Sequence, residues 1–278
     1  MRARVLISAA VFVVLVWRVG TGPFLDGVRT VDGRALLAAA GLAVLTTVSC
    51  AWRWKIVAGG LGVGLTLRAA VAAYYRSLFI NVTVPGGIAG DVHRGISHGR
   101  DVSDVGRALQ AVVWERFAGQ VVQAILTVAV LLALPSPVHS SMPVVAGAVV
   151  VVVVGAAFVA RRRLPLARGA WLGVTLASAL VVCGHAATFL IAAQTVGATA
   201  PLSQLLPLAL IAMLAMVLPS AGGWGPREGV TAWVFGAAGL GVSQGVATAV
   251  AYGVMVFVAS LPGAAVLLVS SSRRIRHA

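Results

Sequence analysis

The chain has 278 residues, of which 60% are hydrophobic and only 10% charged. A soluble domain carries about 25% charged residues, so there is too little polar surface here to coat a water-soluble globule, and the longest stretch that reads as aqueous is Asp91 to Arg107. The net charge of +14 does not point to nucleic acid, because the arginines are scattered over short loops and helix ends with no aromatic-interleaved basic face; cationic ends of membrane helices account for them.

At the N-terminus Arg2 and Arg4 precede an apolar run from Val5 to Trp17. A signal peptide has this form. Arg18 follows the run directly, however, and no A-x-A-like site precedes Thr21-Gly22-Pro23, which favours an uncleaved first membrane helix with its N-terminus in the cytoplasm. Further apolar segments follow at 35–52, 69–84, 108–134, 142–160, 170–193, 203–218, 229–240 and 243–270. A bilayer core needs about 20 apolar residues of helix, and most of these segments are long enough. The fold class predicted is all-α, a polytopic helical bundle forming one transmembrane domain over 1–278, with halves at 1–134 and 135–278.

Charge sets the topology. Arg53, Lys55 and Arg68 flank one connection, Arg161, Arg162, Arg163 and Arg168 fill another, and Arg273, Arg274 and Arg276 end the chain. The positive-inside rule puts all three in the cytoplasm with the N-terminus. The uncharged connections 135–141 and 194–202 are placed outside. The number of crossings between 53–68 and 135–141 must then be odd. That holds if residues 69–90 enter from the cytoplasm, turn at Pro85-Gly86-Gly87 and return. Residues 203–240 either form a second hairpin turning at Pro219 to Gly225 or make full crossings. Six spans with two re-entrant hairpins would give an inverted repeat, in which broken helices build a binding site near the midplane. Two ordinary Gly/Pro turns are the plainer reading of the same residues. The hairpin-tip residues are Pro85, Gly86, Gly87, Gly90, Pro219, Gly222, Gly223 and Gly225.

Both glutamates of the chain stand beside an arginine. Glu115-Arg116 lies about 12 Å into its apolar segment at 1.5 Å per residue. Adjacent helical residues point away from one another and each needs a partner elsewhere. Arg116, Gln120, Gln123 and Thr127 share a helix face, which should turn towards the protein interior or a wet cavity. Either a functional site or an ion pair locking two helices fits. Arg227-Glu228 follows a Gly/Pro break, where a half-helix N-terminus suits a phosphate and Glu228 is equally a favourable first-turn charge. Asn81, Asp91 and Arg94 flank the first break. Arg76, beside Tyr74 and Tyr75, reads as an arginine reaching the interface. Asn81-Val82-Thr83 matches a glycosylation sequon that carries no meaning at membrane depth. Asp91, His93, His98, Asp101 and Asp104 read as a solvated loop rather than metal ligands. His185 reads as a satisfied interior histidine, and Cys50 and Cys183 as buried small apolar residues. Ser178 and Ser220 have no base at a fixed spacing, so no catalytic residue is assigned.

The run Tyr75-Arg76-Ser77-Leu78-Phe79-Ile80-Asn81, continuing through Pro85-Gly86-Gly87-Ile88-Ala89-Gly90-Asp91-Val92-His93-Arg94 to Glu115-Arg116-Phe117-Ala118-Gly119, resembles the lysylphosphatidylglycerol synthase transmembrane-region family. So does Leu218-Pro219-Ser220-Ala221-Gly222-Gly223-Trp224-Gly225-Pro226-Arg227-Glu228-Gly229. The resemblance implies a bacterial inner-membrane protein. In the family's bifunctional synthases this region is given a lipid-flipping role, while a separate cytoplasmic domain transfers the aminoacyl group. No such domain is expected within these 278 residues, and the transferase activity is not carried over.

The function expected is therefore a flippase-like translocase for an anionic phospholipid or a lipid-linked sugar phosphate. Its head group would be bound by Arg94, Arg116, Arg227, Glu115, Glu228, Asn81 and Asp91, with no cofactor and no metal. The partners expected are membrane lipids and no nucleic acid; a transferase partner and homo-oligomers are compatible with the sequence. The alternative is a non-transporting subunit that anchors or regulates a lipid-modifying or glycosyl transferase.

Overall fold

The structure is a computed structural model that describes residues 2–84, 87–137, 142–164, 166–217 and 224–275. The tip residues Pro85, Gly86, Pro219, Gly222 and Gly223 lie outside them. The described residues form twelve α-helices: α1 Arg2–Val19, α2 Gly22–Arg29, α3 Gly33–Gly60, α4 Leu67–Thr83, α5 Ala89–Asp101, α6 Val105–Ala133, α7 Met142–Arg163, α8 Arg168–Thr195, α9 Leu202–Leu214, α10 Pro226–Ala237, α11 Val242–Ser260 and α12 Pro262–Ile275. Three long helices, α3, α6 and α8, are apolar enough to cross a bilayer, and residues 242–268, from α11 into α12, make a fourth. The α1–α2 pair, bent by 102°, would make a fifth.

Side-chain caps fix where several helices begin. The Asp32 carboxylate accepts from Ala35 N at 2.8 Å at the start of α3, and Asp104 accepts from Arg107 N at 2.9 Å at the start of α6, each satisfying an amide with no partner inside its own helix. The α3 and α8 helices pack against one another at the centre, where Gly184 lies over Thr46. Small residues let membrane helices approach in this way.

The polarity of the molecule is inverted relative to a soluble protein. Leu37, Val144, Val151 and Leu172 face outward and are each more than 70% exposed, while Arg53, Asp91, Arg94, Glu115, Arg227 and Glu228 are buried. An apolar exterior around a charged interior is stable in lipid and not in water. The protein is an all-α membrane bundle.

Two antiparallel helix pairs stand where the hairpins were expected. In the first, Asn81 of α4 meets Gly90 and Asp91 of α5, and Tyr74 meets Arg94 further along. In the second, Gln204 near the start of α9 donates to Ala238 just past the end of α10, and α10 packs against both α9 and the turn of 3-10 helix at Ala215–Val217.

Several expectations are corrected. The stretch 91–107 is not a solvated loop but the body of α5 and the start of α6, and Asp91 and His98 are buried. Its composition is polar, yet the polar groups find partners inside, as with His98 Nε2 at 2.7 Å from the Val63 carbonyl oxygen. The first returning arm therefore runs to Asp101 rather than ending near residue 90. Cys183 faces outward, and Cys50 is half-buried.

Candidate functional site

Glu115 on α6 is fully buried. Its carboxylate accepts from Arg53 Nε at 2.8 Å, from Arg53 Nη2, from the Tyr74 hydroxyl at 2.8 Å and from Arg94 Nη2 at 2.6 Å. Arg116, the next residue, turns away to Asp91, with Nη2 at 2.7 Å from both carboxylate oxygens. The two neighbours thus have separate partners, as the 100° step between adjacent helical residues favours.

Asp91 is a hub. Besides Arg116 it accepts from Arg94 Nε at 3.0 Å, Ser77 Oγ at 3.2 Å and Asn81 Nδ2 at 3.1 Å. Asn81 also accepts from Gly90 N at 2.7 Å, capping the start of α5 from the neighbouring helix. Gly90 makes this possible: a Cβ there would lie 2.1 Å from the Ser77 carbonyl oxygen, so any side chain would force α5 off α4. Arg94 lies between two aromatic faces, 4.6 Å from the Trp54 ring centroid and 4.2 Å from that of Tyr74, which offsets part of the cost of burying a guanidinium. Arg53 completes the centre, donating from Nη1 to Ser178 Oγ at 3.0 Å on α8.

A second centre sits at the start of α10. Gly225 has φ 107°, a backbone that other residues rarely adopt. Its N–H donates to Glu228 at 2.6 Å. Arg227 also donates to Glu228, through Nε at 3.0 Å and through Nη2. The Arg227 guanidinium lies 5.2 Å from the Trp224 centroid and 5.1 Å from that of Tyr252. Each centre therefore holds an arginine bonded to a glutamate and flanked by one tryptophan and one tyrosine.

Between the centres lies a slot with a cavity volume of about 70 Å³, whose lining includes Ala43, Thr47, Tyr74, His185, Met255 and Ser260 from α3, α4, α8 and α11. Its wall is mainly apolar. Tyr74 belongs to the first centre, and His185 Nδ1 is 2.9 Å from the hydroxyl of Tyr252 in the second.

The structure thus brings Asn81, Asp91, Arg94, Glu115 and Arg116 into one network and pairs Arg227 with Glu228 separately. Arg53 is a correction: charge counting places it in a cytoplasmic connection, yet it is 4% exposed inside the bundle. The signal was the apolar run beyond it, Ile56-Val57-Ala58, which carries α3 on to Gly60. Tyr74 is buried at the centre rather than anchored at an interface, and Arg76 beside it is half-buried, with a buried Nε that has no hydrogen-bond partner among the described residues. Tyr252 and Ser178 carry no sequence signal that would separate them from other hydroxyl residues of membrane helices.

The family model described as lysylphosphatidylglycerol synthase TM region matches residues 1–171. The chain belongs to this family. Within this lysylphosphatidylglycerol synthase transmembrane region, the matched part contains the whole Asp91–Glu115 network apart from Ser178, and it ends before the second centre. No curated protein and no solved structure matches the chain.

Proposed function

We propose that this membrane protein binds the anionic head group of a lipid at Arg116 and moves the lipid between leaflets. The observation that carries the reading is the placing of Arg116. Its side chain is 42% exposed, among the described residues only its Nη2 is hydrogen-bonded, on Asp91, and the network it belongs to reaches a mainly apolar slot through Tyr74. A cation next to an apolar cleft suits an amphiphile. Arg94 and Arg227 face their glutamates and act as supports. Two antiparallel helix pairs, each next to a charged centre, are more than an anchor needs, because non-helical backbone at membrane depth is tolerated only where protein or water covers it. The arginine-rich connection at 161–168 and the basic C-terminus support a bacterial inner-membrane protein with both ends cytoplasmic. Ser178 Oγ is engaged by Arg53 and by the Val174 carbonyl, and the role is binding and movement rather than catalysis.

The test is leaflet exchange of fluorescent phosphatidylglycerol in liposomes holding the purified chain. Exchange should exceed that of empty liposomes. Arg116→Gln should slow it about tenfold, the worth of one charge-assisted hydrogen bond, and Arg273→Gln should leave it unchanged. A folded preparation that exchanges no lipid, and that recovers a stoichiometric transferase in pull-downs, would replace this reading with that of an anchoring subunit.

A further inference from the structure

The slot between the two centres holds a group that changes charge near neutral pH. Cys50, Tyr74 and His185 are the titratable residues among those lining it, and of these side chains only an imidazole has an ordinary pKa between about pH 5 and 8. His185 lies within α8, half-buried, in a helix long and apolar enough to span the membrane. An ionisable side chain at that depth marks the path of a proton or an ion. One ring nitrogen is engaged. Nδ1 is 2.9 Å from the Tyr252 hydroxyl, and that hydroxyl directs its single proton at Met216 Sδ, 3.9 Å away. The phenol oxygen then accepts from Nδ1–H, which leaves the lone pair on Nε2. Nε2 makes no hydrogen bond to the described residues.

The charges around His185 decide what can be added there. Of the elements packed near it, α3 brings Cys50 and Arg53, α4 brings Tyr74, α6 brings Glu115 and Arg116, and α11 brings Tyr252, while α9 has no titratable residue. Arg227 of α10 lies over the Tyr252 ring. The buried carboxylates are already taken: Glu115 by Arg53 and Arg94, Asp91 by Arg94 and Arg116, and Glu228 by Arg227. Among the described residues no free carboxylate is left to offset an imidazolium in the slot. An anion entering the slot supplies that charge.

We propose that His185 is a proton-binding residue, and that a proton is taken up at Nε2 together with the anionic group of a lipid in the slot. The N–H bond forms with a proton from water and breaks when the lipid leaves, so one anion and one proton travel as a neutral pair. A mainly apolar wall passes such a pair at lower cost than a bare charge. The coupling is reciprocal, because an anion that strengthens proton binding is itself held more tightly as the pH falls.

This inference rests on the reading that an anionic lipid occupies the slot, but proton uptake tests it and lipid movement does not. Phosphatidylglycerol, whose phosphodiester keeps one charge over this range, would be titrated into the purified full chain in weakly buffered detergent between about pH 5 and 8, with a pH-sensitive dye as the readout. The parent should take up close to one proton per lipid at the pH of greatest uptake, and its affinity should rise towards acid by up to about tenfold per pH unit, the limit for one linked proton. His185→Gln should take up none and bind with an affinity that no longer follows pH. Tyr252→Phe removes the acceptor of Nδ1–H while keeping a ring in place, and should move the uptake to lower pH. Lipid binding without proton uptake by the parent, uptake that persists in His185→Gln, or an unmoved uptake in Tyr252→Phe would overturn the proposal. Proton uptake on binding, alongside liposomes without exchange, would remove the translocase reading and leave this one standing. A folded chain that binds no lipid would remove both.

Discussion

Glu115 is the residue on which the first centre turns. It accepts from two guanidinium groups and a phenol in a site closed to solvent. Removing its charge leaves Arg53 and Arg94 facing a neutral amide. Breaking a buried pair from one side costs about 3–5 kcal/mol, so Glu115→Gln should lower the melting temperature in detergent sharply. Tyr74→Phe removes one hydrogen bond among several and should cost about 1 kcal/mol. A Glu115→Gln variant that melts with the parent would mean that water reaches the centre. The importance of Glu115-Arg116 is legible in the sequence, since charges that deep in an apolar segment need partners. The partners are not: Arg53 and Tyr74 lie 62 and 41 residues away in the chain.

At the scale of elements, α5 shows how composition can mislead. Its thirteen residues, from Ala89 to Asp101, include two histidines, two arginines and two aspartates, a composition that reads as an aqueous loop. Its buried face carries Gly90, Asp91, Arg94, Gly95, His98 and Gly99, glycines alternating with groups that bond inward. Hydropathy does not register such a face, because its polar residues are satisfied by other helices. Gly90→Ala tests the packing directly. The new methyl would lie 2.1 Å from the Ser77 carbonyl oxygen, and overpacking costs about 1–3 kcal/mol. The variant should lose thermal stability and, because Asp91 is carried away from Arg116, lipid exchange as well. Unchanged melting and exchange would show that α5 can slide without loss.

For the whole molecule the property to test is sidedness. Charge parity predicts Ser103 and Arg162 on the cytoplasmic side and the connection before α9 outside. Ser103, Arg162 and Ser203 are all exposed. Single cysteines at these positions, in a background lacking Cys50 and Cys183, can be challenged with an impermeant thiol reagent on intact cells. Ser203→Cys should label at once, and Ser103→Cys and Arg162→Cys only after the membrane is opened. Labelling of Ser103→Cys from outside would make α4 and α5 a crossing rather than a returning pair.

The sequence by itself determined the class of molecule. With one residue in ten charged there is no way to cover a water-soluble surface, and the long apolar runs can only be helices in lipid because each helix satisfies its own backbone. It also indicated that Glu115 and Arg116 would find separate partners, and that chain breaks stand before Arg94 and Arg227. Only the tertiary structure decided which charges meet. The convergence of Arg53, Tyr74, Asp91, Arg94 and Glu115 is set by how α3, α4, α5 and α6 cross, and that crossing depends on close approaches such as Gly90 on Ser77 and Gly119 on Arg53. Such contacts arise between segments far apart in the chain, so no local pattern records them.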